Sequence, residues 1–250
     1  FLVKMLDESS QIRDRKKLAK RIKTLIDEYG VPEFLNKRDT FLFKMYQAFG
    51  HHFDFIAIPI IKKRLRTDTS KVIIDESRPN LTEHLATRFK EKIGQNVNLL
   101  GEVVLGNGEA DHRYHHYLEA LESPDINYIS VKISGIYAQT HALNYRESFP
   151  ELVRRMSALY QKAIDNPYVD EDGLKRAKFI NLDMEEYKDA HFTMRLFKEV
   201  LSKPEFKNYS AGIVVQAYLP DAYDFQTELL EFAKARVESG GAPIKMRLVK

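Results

Sequence analysis

The stretch FINLDM, residues 179–184, combines a short apolar strand with a carboxylate, Asp183, close to the end of that strand. A parallel strand that is covered on both faces is normally almost wholly apolar. Four other segments repeat the pattern, each an apolar run with one polar side chain inside it or at its end. The predicted strands are residues 97–104, 128–134, 179–184, 212–218 and 244–249, and their polar residues are Glu102, Lys132, Asp183, Gln216 and Arg247.

Amphipathic helices separate these strands. Leu152 and Met156 belong to one apolar face with helical spacing, and Phe225 and Leu229 belong to another. Strand, helix and strand in alternation indicate βαβ units around a parallel sheet, although this order alone does not distinguish a barrel from an open sheet.

The polar residues favour the barrel. Side chains from five successive strand ends would converge at one end of a barrel, where barrel enzymes carry out their chemistry. We therefore predict an α/β fold, a TIM-type (β/α)8 barrel of which residues 94–250 contain about the first five strands. The last residues lie in or just after the fifth predicted strand, so we expect the barrel to be truncated at Lys250.

Residues 1–93 predict a helical arm in front of the barrel. Leu18 and Ile22 begin an apolar stripe that ends before Gly30, and Phe41 and Met45 indicate a second stripe. The chain has no initiator methionine, so we expect it to begin inside a longer protein.

Composition excludes several classes of function. The chain has 39 basic and 36 acidic residues in mixed order, so it has no basic surface typical of nucleic-acid binding. It has no cysteine, which excludes disulfides, thiolate catalysis and cysteine-bound metals. No apolar run approaches the roughly 20 residues that span a bilayer. The basic run at residues 62–66 indicates a solvated helix end, with a membrane-surface contact as the alternative.

The strand-end segments resemble those of proline dehydrogenase, specifically the barrel of the bifunctional proline utilisation A enzymes. Each segment is short, but all five occur in the same order, each on a predicted strand. The segments are NLLGE (98–102), ISVKIS (129–134), NLDMEE (181–186), VVQAY (214–218) and MRLVK (246–250).

This resemblance implies an enzyme that binds FAD and oxidises L-proline to Δ1-pyrroline-5-carboxylate, passing the electrons to a membrane quinone. It also implies a fused pyrroline-5-carboxylate dehydrogenase domain beyond this chain, and it is compatible with a homo-oligomer. The expected location is the cytoplasm, with peripheral attachment at the inner surface of the membrane.

The resemblance also implies roles for individual residues. Arg247 would lie near the flavin N5 edge, Gln216 would bond the polar rim of the flavin, and Val249 and Lys250 would complete the flavin-binding set. Lys132 would hold the substrate carboxylate. Asp183 would orient the basic groups beside the substrate, and Glu102 would pair with that charged cluster.

Two departures from the family pattern affect the substrate site. Asn98 stands where some relatives have an aspartate, which changes the charge near Lys132. The family's paired arginines and the tyrosine beside them would lie beyond Lys250. Within this chain, the predicted carboxylate clamp therefore depends on Lys132.

Three alternatives remain open from the residues. Lys132 on a strand suits a Schiff-base aldolase. Glu102, Asp183 and Glu185 together suit a divalent metal. An incomplete barrel also suits a non-catalytic scaffold or assembly fragment. His112 and His116 are one helical turn apart, but we expect them on an exposed helix surface without a metal.

Overall fold

The computed structural model describes residues 12, 14–31, 37–49, 55, 58–61, 78–99, 104, 106–138 and 145–250. The chain forms two compact units, Phe1–Leu81 and Thr82–Lys250. The boundary expected between residues 93 and 94 stays a prediction. The basic run at residues 62–66 and the predicted site residue Glu102 lie outside the described residues.

The first unit contains helices α1 (Arg15–Tyr29) and α2 (Lys37–Phe49). Asp14 caps the start of α1 by accepting a hydrogen bond from the Lys17 amide at 2.8 Å. Gly30, at φ 73°, ends the helix in a conformation that favours glycine. The predicted stripe of α1 is confirmed, because its apolar residues form the buried cluster of this unit: Leu18, Ala19, Ile22, Leu25 and Ile26.

The predicted apolar face of α2 is wrong. Phe41 and Met45 are 62% and 48% exposed, whereas Tyr46 is buried in the cluster of α1. The Tyr46 hydroxyl donates a hydrogen bond to the Ala19 carbonyl at 2.9 Å. Tyr46, whose ring is buried while its hydroxyl is satisfied, and the partly buried Phe43 face the cluster, and this turns Phe41 and Met45 outward.

The second unit is built around a parallel sheet. Helix α3 (Arg78–Lys90) precedes it, and each later helix connects two strands or follows one. The strands are β1 (Val97–Asn98), β2 (Tyr128–Lys132), β3 (Tyr168–Val169), β4 (Lys175–Arg176), β5 (Phe179–Asp183), β6 (Gly212–Gln216) and β7 (Lys245–Val249). The helices are α4 (Asn107–Glu122), α5 (Ile133–Ile136), α6 (Tyr145–Asp165), α7 (Ala190–Leu201) and α8 (Ala222–Glu238), with 3-10 turns at Tyr187–Asp189 and Pro204–Phe206.

The order of the main sheet is β1-β2-β5-β6-β7, and every neighbouring pair is parallel. Strands β3 and β4 form a separate antiparallel hairpin. A doubly wound sheet contains a point where the strand order reverses. Among the described strands the order instead follows the chain, as in five successive strands of a (β/α) barrel, which confirms the predicted fold class.

The two faces of the sheet differ in polarity. One face consists of apolar side chains that are at most 1% exposed, and helices α4, α6 and α8 pack against β2, β5 and β6. Because side chains alternate along a strand, the opposite face contains the polar residues of the same strands. The buried apolar residues are Ile129, Val131, Ile180, Leu182, Ile213 and Val215, and the polar residues opposite include Ser130, Lys132, Asn181, Asp183, Gln216 and Arg247.

Candidate active site

Asp183 and Arg247 form the centre of the polar face. Asp183 is the last residue of β5, and Arg247 is in the middle of β7, two strands away. The Arg247 Nη2 atom donates to Asp183 Oδ1 at 2.6 Å, and the two side chains are 36% and 12% exposed. A carboxylate and a guanidinium thus meet above β6, at the level where Val214 pairs with Arg247.

Other amide and hydroxyl groups hold the Asp183 carboxylate in place. Asn181 Nδ2 donates to Oδ1 at 2.7 Å and Ser130 Oγ donates to it at 3.2 Å. Asn98 Nδ2 lies 3.5 Å from the second oxygen, Oδ2. Burial raises the pKa of Asp183 above its ordinary value, and the charge of Arg247 offsets this effect only in part.

Gly212 makes room for this arrangement. A Cβ atom at Gly212 would lie 2.6 Å from Asn181 Oδ1 and 3.0 Å from the Phe179 ring. Asn181 turns its nitrogen toward Asp183, and its own oxygen is buried with no hydrogen-bond partner among the described residues. The Asn181 amide nitrogen therefore donates to Asp183, and the amide oxygen packs against Gly212.

Lys132 is paired with Asp183 in the register of β2 and β5, but its ion partner is a different carboxylate. Its Nζ atom lies 2.5 Å from Glu185 Oε1. Ser134 Oγ donates to the other oxygen of Glu185 at 2.8 Å. The structure therefore brings Lys132, Asp183 and Arg247 to one face of the sheet, and it adds Glu185 to the site.

Gln216 makes contacts that the sequence did not indicate. Its Nε2 atom donates to the carbonyl oxygens of Met184 and Glu185, at 3.2 Å and 3.0 Å. The buried side chain thereby fixes the loop after β5 and leaves only its own carbonyl oxygen for a ligand. Val249 pairs with Gln216, and its carbonyl accepts a hydrogen bond from the Ala217 amide at 2.7 Å, while Lys250 is exposed.

These residues fit the polar rim of a flavin, which presents mostly acceptor atoms, because the described groups are chiefly donors and cations. Arg247 Nε is buried and has no partner within the described part of the chain, so it can still donate to a ligand at the sheet. Gln216 can add an acceptor. The described residues contain no group of three or more His, Asp or Glu side chains placed to hold a metal ion. His112 Nε2 lies 3.0 Å from His116 Nε2 on α4.

The strand-end segments can now be compared with known proteins. The sequence profile of the proline dehydrogenase family matches residues 81–250. The chain belongs to the proline dehydrogenase family. The family predicted from the five segments is thereby confirmed, and the match includes all five strands of the parallel sheet.

Solved structures of proline utilisation A share the fold. The protein from Corynebacterium freiburgense is 35% identical with a TM-score of 0.66, over 96% of this chain and 21% of that one. The protein from Bdellovibrio bacteriovorus, inactivated by N-propargylglycine, is 25% identical with a TM-score of 0.64. The match covers 100% of this chain and 28% of that one. A mutant of the Bradyrhizobium japonicum protein is 17% identical with a TM-score of 0.60, and the match covers 100% of this chain and 27% of that one. At this identity the likeness shows the fold alone.

The chain thus spans only between about a fifth and just over a quarter of these relatives. The comparison with curated proteins finds no match. None of the helices in the described ranges is both long enough and apolar enough to cross a membrane.

Proposed function

We propose that this chain supplies the described strands to a barrel that oxidises L-proline to Δ1-pyrroline-5-carboxylate, the first step of proline catabolism. When bound, FAD would supply a two-electron acceptor for the hydride of proline C5, the proline nitrogen would lose a proton as the C=N bond forms, and the electrons would pass to a quinone. The observation that carries the proposal is the Asp183–Arg247 pair at 2.6 Å on the polar face of the sheet, with Lys132 on the neighbouring strand.

Each residue of this set has a task suited to hydride transfer, which needs positioning and charge rather than a nucleophile. Lys132 provides an ammonium for the substrate carboxylate. Arg247 provides a cation that stabilises negative charge as it develops on the reduced flavin. Asp183, fixed by Asn181 and Ser130, keeps the Arg247 guanidinium in one orientation.

Gln216 contributes in two ways. Its nitrogen holds the loop at residues 184–185, which places Glu185 beside Lys132. Its free carbonyl oxygen is the group that would meet the rim of the flavin. We also include Val249 and Lys250 in the flavin-binding set and Glu102 in the substrate set, as the family resemblance implies.

The proposal also covers the location of the protein and its partners. We place the protein in the cytoplasm and peripherally at the inner surface of a membrane, where it meets its quinone. A pyrroline-5-carboxylate dehydrogenase domain in the longer polypeptide would use the product, and the whole protein would form a homo-oligomer. Family membership favours this flavin chemistry over a Schiff-base aldolase at Lys132.

The test uses the full-length protein. We expect the purified protein to be yellow, to release FAD on denaturation, and to form Δ1-pyrroline-5-carboxylate from L-proline with a soluble quinone as acceptor. N-propargylglycine, which inactivated the Bdellovibrio relative, should abolish this activity and change the flavin spectrum. A colourless protein that takes up no FAD would contradict the proposal.

A further inference from the structure

Glu185 forms an ion pair with Lys132, the residue proposed to bind the substrate carboxylate. Its Oε1 atom is 2.5 Å from Lys132 Nζ. We propose that Glu185 is an internal competitor, whose carboxylate pairs with Lys132 and is displaced by the carboxylate of the substrate. This inference rests on the proposed function, because it assumes that Lys132 receives that carboxylate.

Competition is expected because Glu185 and the substrate would both present a carboxylate to the same Lys132 ammonium. An incoming carboxylate can bind the Lys132 ammonium with its intrinsic affinity only in those molecules in which the Lys132–Glu185 ion pair is broken. The apparent dissociation constant is then the intrinsic constant divided by the fraction of molecules in the competent state. Glu185 therefore sets how much amino acid is needed to fill the site.

Local structure allows the Glu185 side chain to leave while its backbone stays in place. The Glu185 carbonyl is fixed by Gln216 Nε2 at 3.0 Å, whereas the side chain is 39% exposed. Rotation about the side-chain bonds can thus move the carboxylate toward solvent without a loop movement. Rotations of exposed side chains are fast compared with typical catalytic turnover.

Ser134 adds a second attachment for the Glu185 carboxylate, so displacement by a ligand has to break a hydrogen bond as well as the ion pair. Its hydroxyl donates to Glu185 Oε2 at 2.8 Å, so the carboxylate has a second attachment that does not depend on Lys132. Ser134 belongs to the one-turn helix α5, directly after the strand that contains Lys132. This second bond holds the carboxylate close to Lys132, which favours its return once the ligand has left.

The experiment measures binding to the full-length, FAD-loaded protein by calorimetry. The probe is cyclopentanecarboxylate, which keeps a ring and a carboxylate but has no amine to oxidise, and cyclopentanecarboxamide is its uncharged counterpart. For Glu185→Gln we expect a dissociation constant for the carboxylate about two- to fivefold lower than in the wild type. The carboxamide should bind equally well to both proteins.

Glu186→Gln is the matched control. Glu186 is the next residue, it pairs with Lys188 at 2.7 Å, and its replacement removes the same charge without freeing Lys132. This variant should bind the carboxylate like the wild type. Weaker or unchanged binding in Glu185→Gln, or an equal gain in Glu186→Gln or for the carboxamide, would overturn the inference.

The two proposals fail in different ways. If the wild type oxidises L-proline and Glu185→Gln gains no affinity, only the competitor role is wrong. If the wild type neither oxidises L-proline nor binds cyclopentanecarboxylate, the proposed function fails and the inference falls with it.

Discussion

The Asp183 carboxylate is held by a residue that itself depends on a glycine. Asn181 reaches Asp183 at 2.7 Å only because Gly212, on the next strand, has no side chain to meet the Asn181 amide oxygen. The Phe179 ring closes the same space at 3.0 Å. Overpacking a closed site of this kind usually costs about 1–3 kcal/mol.

Gly212→Ala should therefore lower the free energy of unfolding by about 1–3 kcal/mol, because the added methyl group displaces Asn181 or the Phe179 ring. Loosening Asp183 should also slow flavin reduction by L-proline. Thermal unfolding and rapid-mixing absorbance check the two effects. Gly108→Ala is the control, since no atom lies within 4 Å of its added Cβ and helix α4 tolerates alanine. A Gly212→Ala protein as stable and active as this control would refute the role of Gly212.

The sequence indicated only part of the site. A polar residue on an otherwise apolar strand is visible in one sequence, and this signal indicated Lys132, Asp183 and Arg247, which the structure brings to one face of the sheet. The partners within reach depend on strand register and rotamers, so the Lys132–Glu185 pair was missed, although the sequence had suggested Glu185 as a metal ligand. The bonds from Gln216 to main-chain carbonyls were missed for the same reason.

At the level of elements, Arg236 connects several segments of the second unit. This residue of α8 is 8% exposed. It donates to main-chain carbonyls from the end of α7, the following 3-10 turn, the segment between that turn and β6, and the segment before β7. The acceptors are Leu201 and Phe206 at 2.5 Å, Ala242 at 2.8 Å, Lys207 at 2.9 Å and Tyr209 at 3.0 Å. The guanidinium fork suits such a cluster, and no other side chain offers as many donors.

Arg236→Met should destabilise the protein by about 3 kcal/mol or more, because several buried carbonyls lose their donor. Chemical denaturation of the purified protein measures this change. Arg154→Met removes a cation from an exposed position on α6, where Arg154 pairs with Glu151, and should cost less than about 1 kcal/mol. Equal effects of the two substitutions would show that Arg236 does not have this role.

The strands were predicted more accurately than the connections between them. Four of the predicted strands start and end within two residues of β2, β5, β6 and β7, because an apolar run flanked by polar residues marks a buried strand. Predicted strand 128–134 ran two residues too far, since Ile133 begins helix α5. The β3–β4 hairpin was missed, because each of its strands has only two residues and β4 has no apolar residue.

For the whole molecule, the strand order and the polarity of the two sheet faces indicate the same location for the candidate active site. The strands follow one another in chain order, so the sheet lacks, in its described part, a reversal point where an open α/β sheet would bind its ligand. The polar side chains instead occupy one face at the carboxyl ends of β2, β5 and β6 and in β7. This placement is typical of a barrel whose mouth holds the active site.

Anaerobic reduction of the full-length, FAD-loaded protein by L-proline tests the central claim most directly. We predict that L-proline bleaches the visible flavin absorbance, and that Arg247→Met slows this bleaching by about 100-fold or more. Lys234→Met, which removes an exposed cation from α8, should leave the rate unchanged. A wild-type flavin that L-proline does not bleach, or an Arg247→Met protein that is reduced at the wild-type rate, would contradict the account.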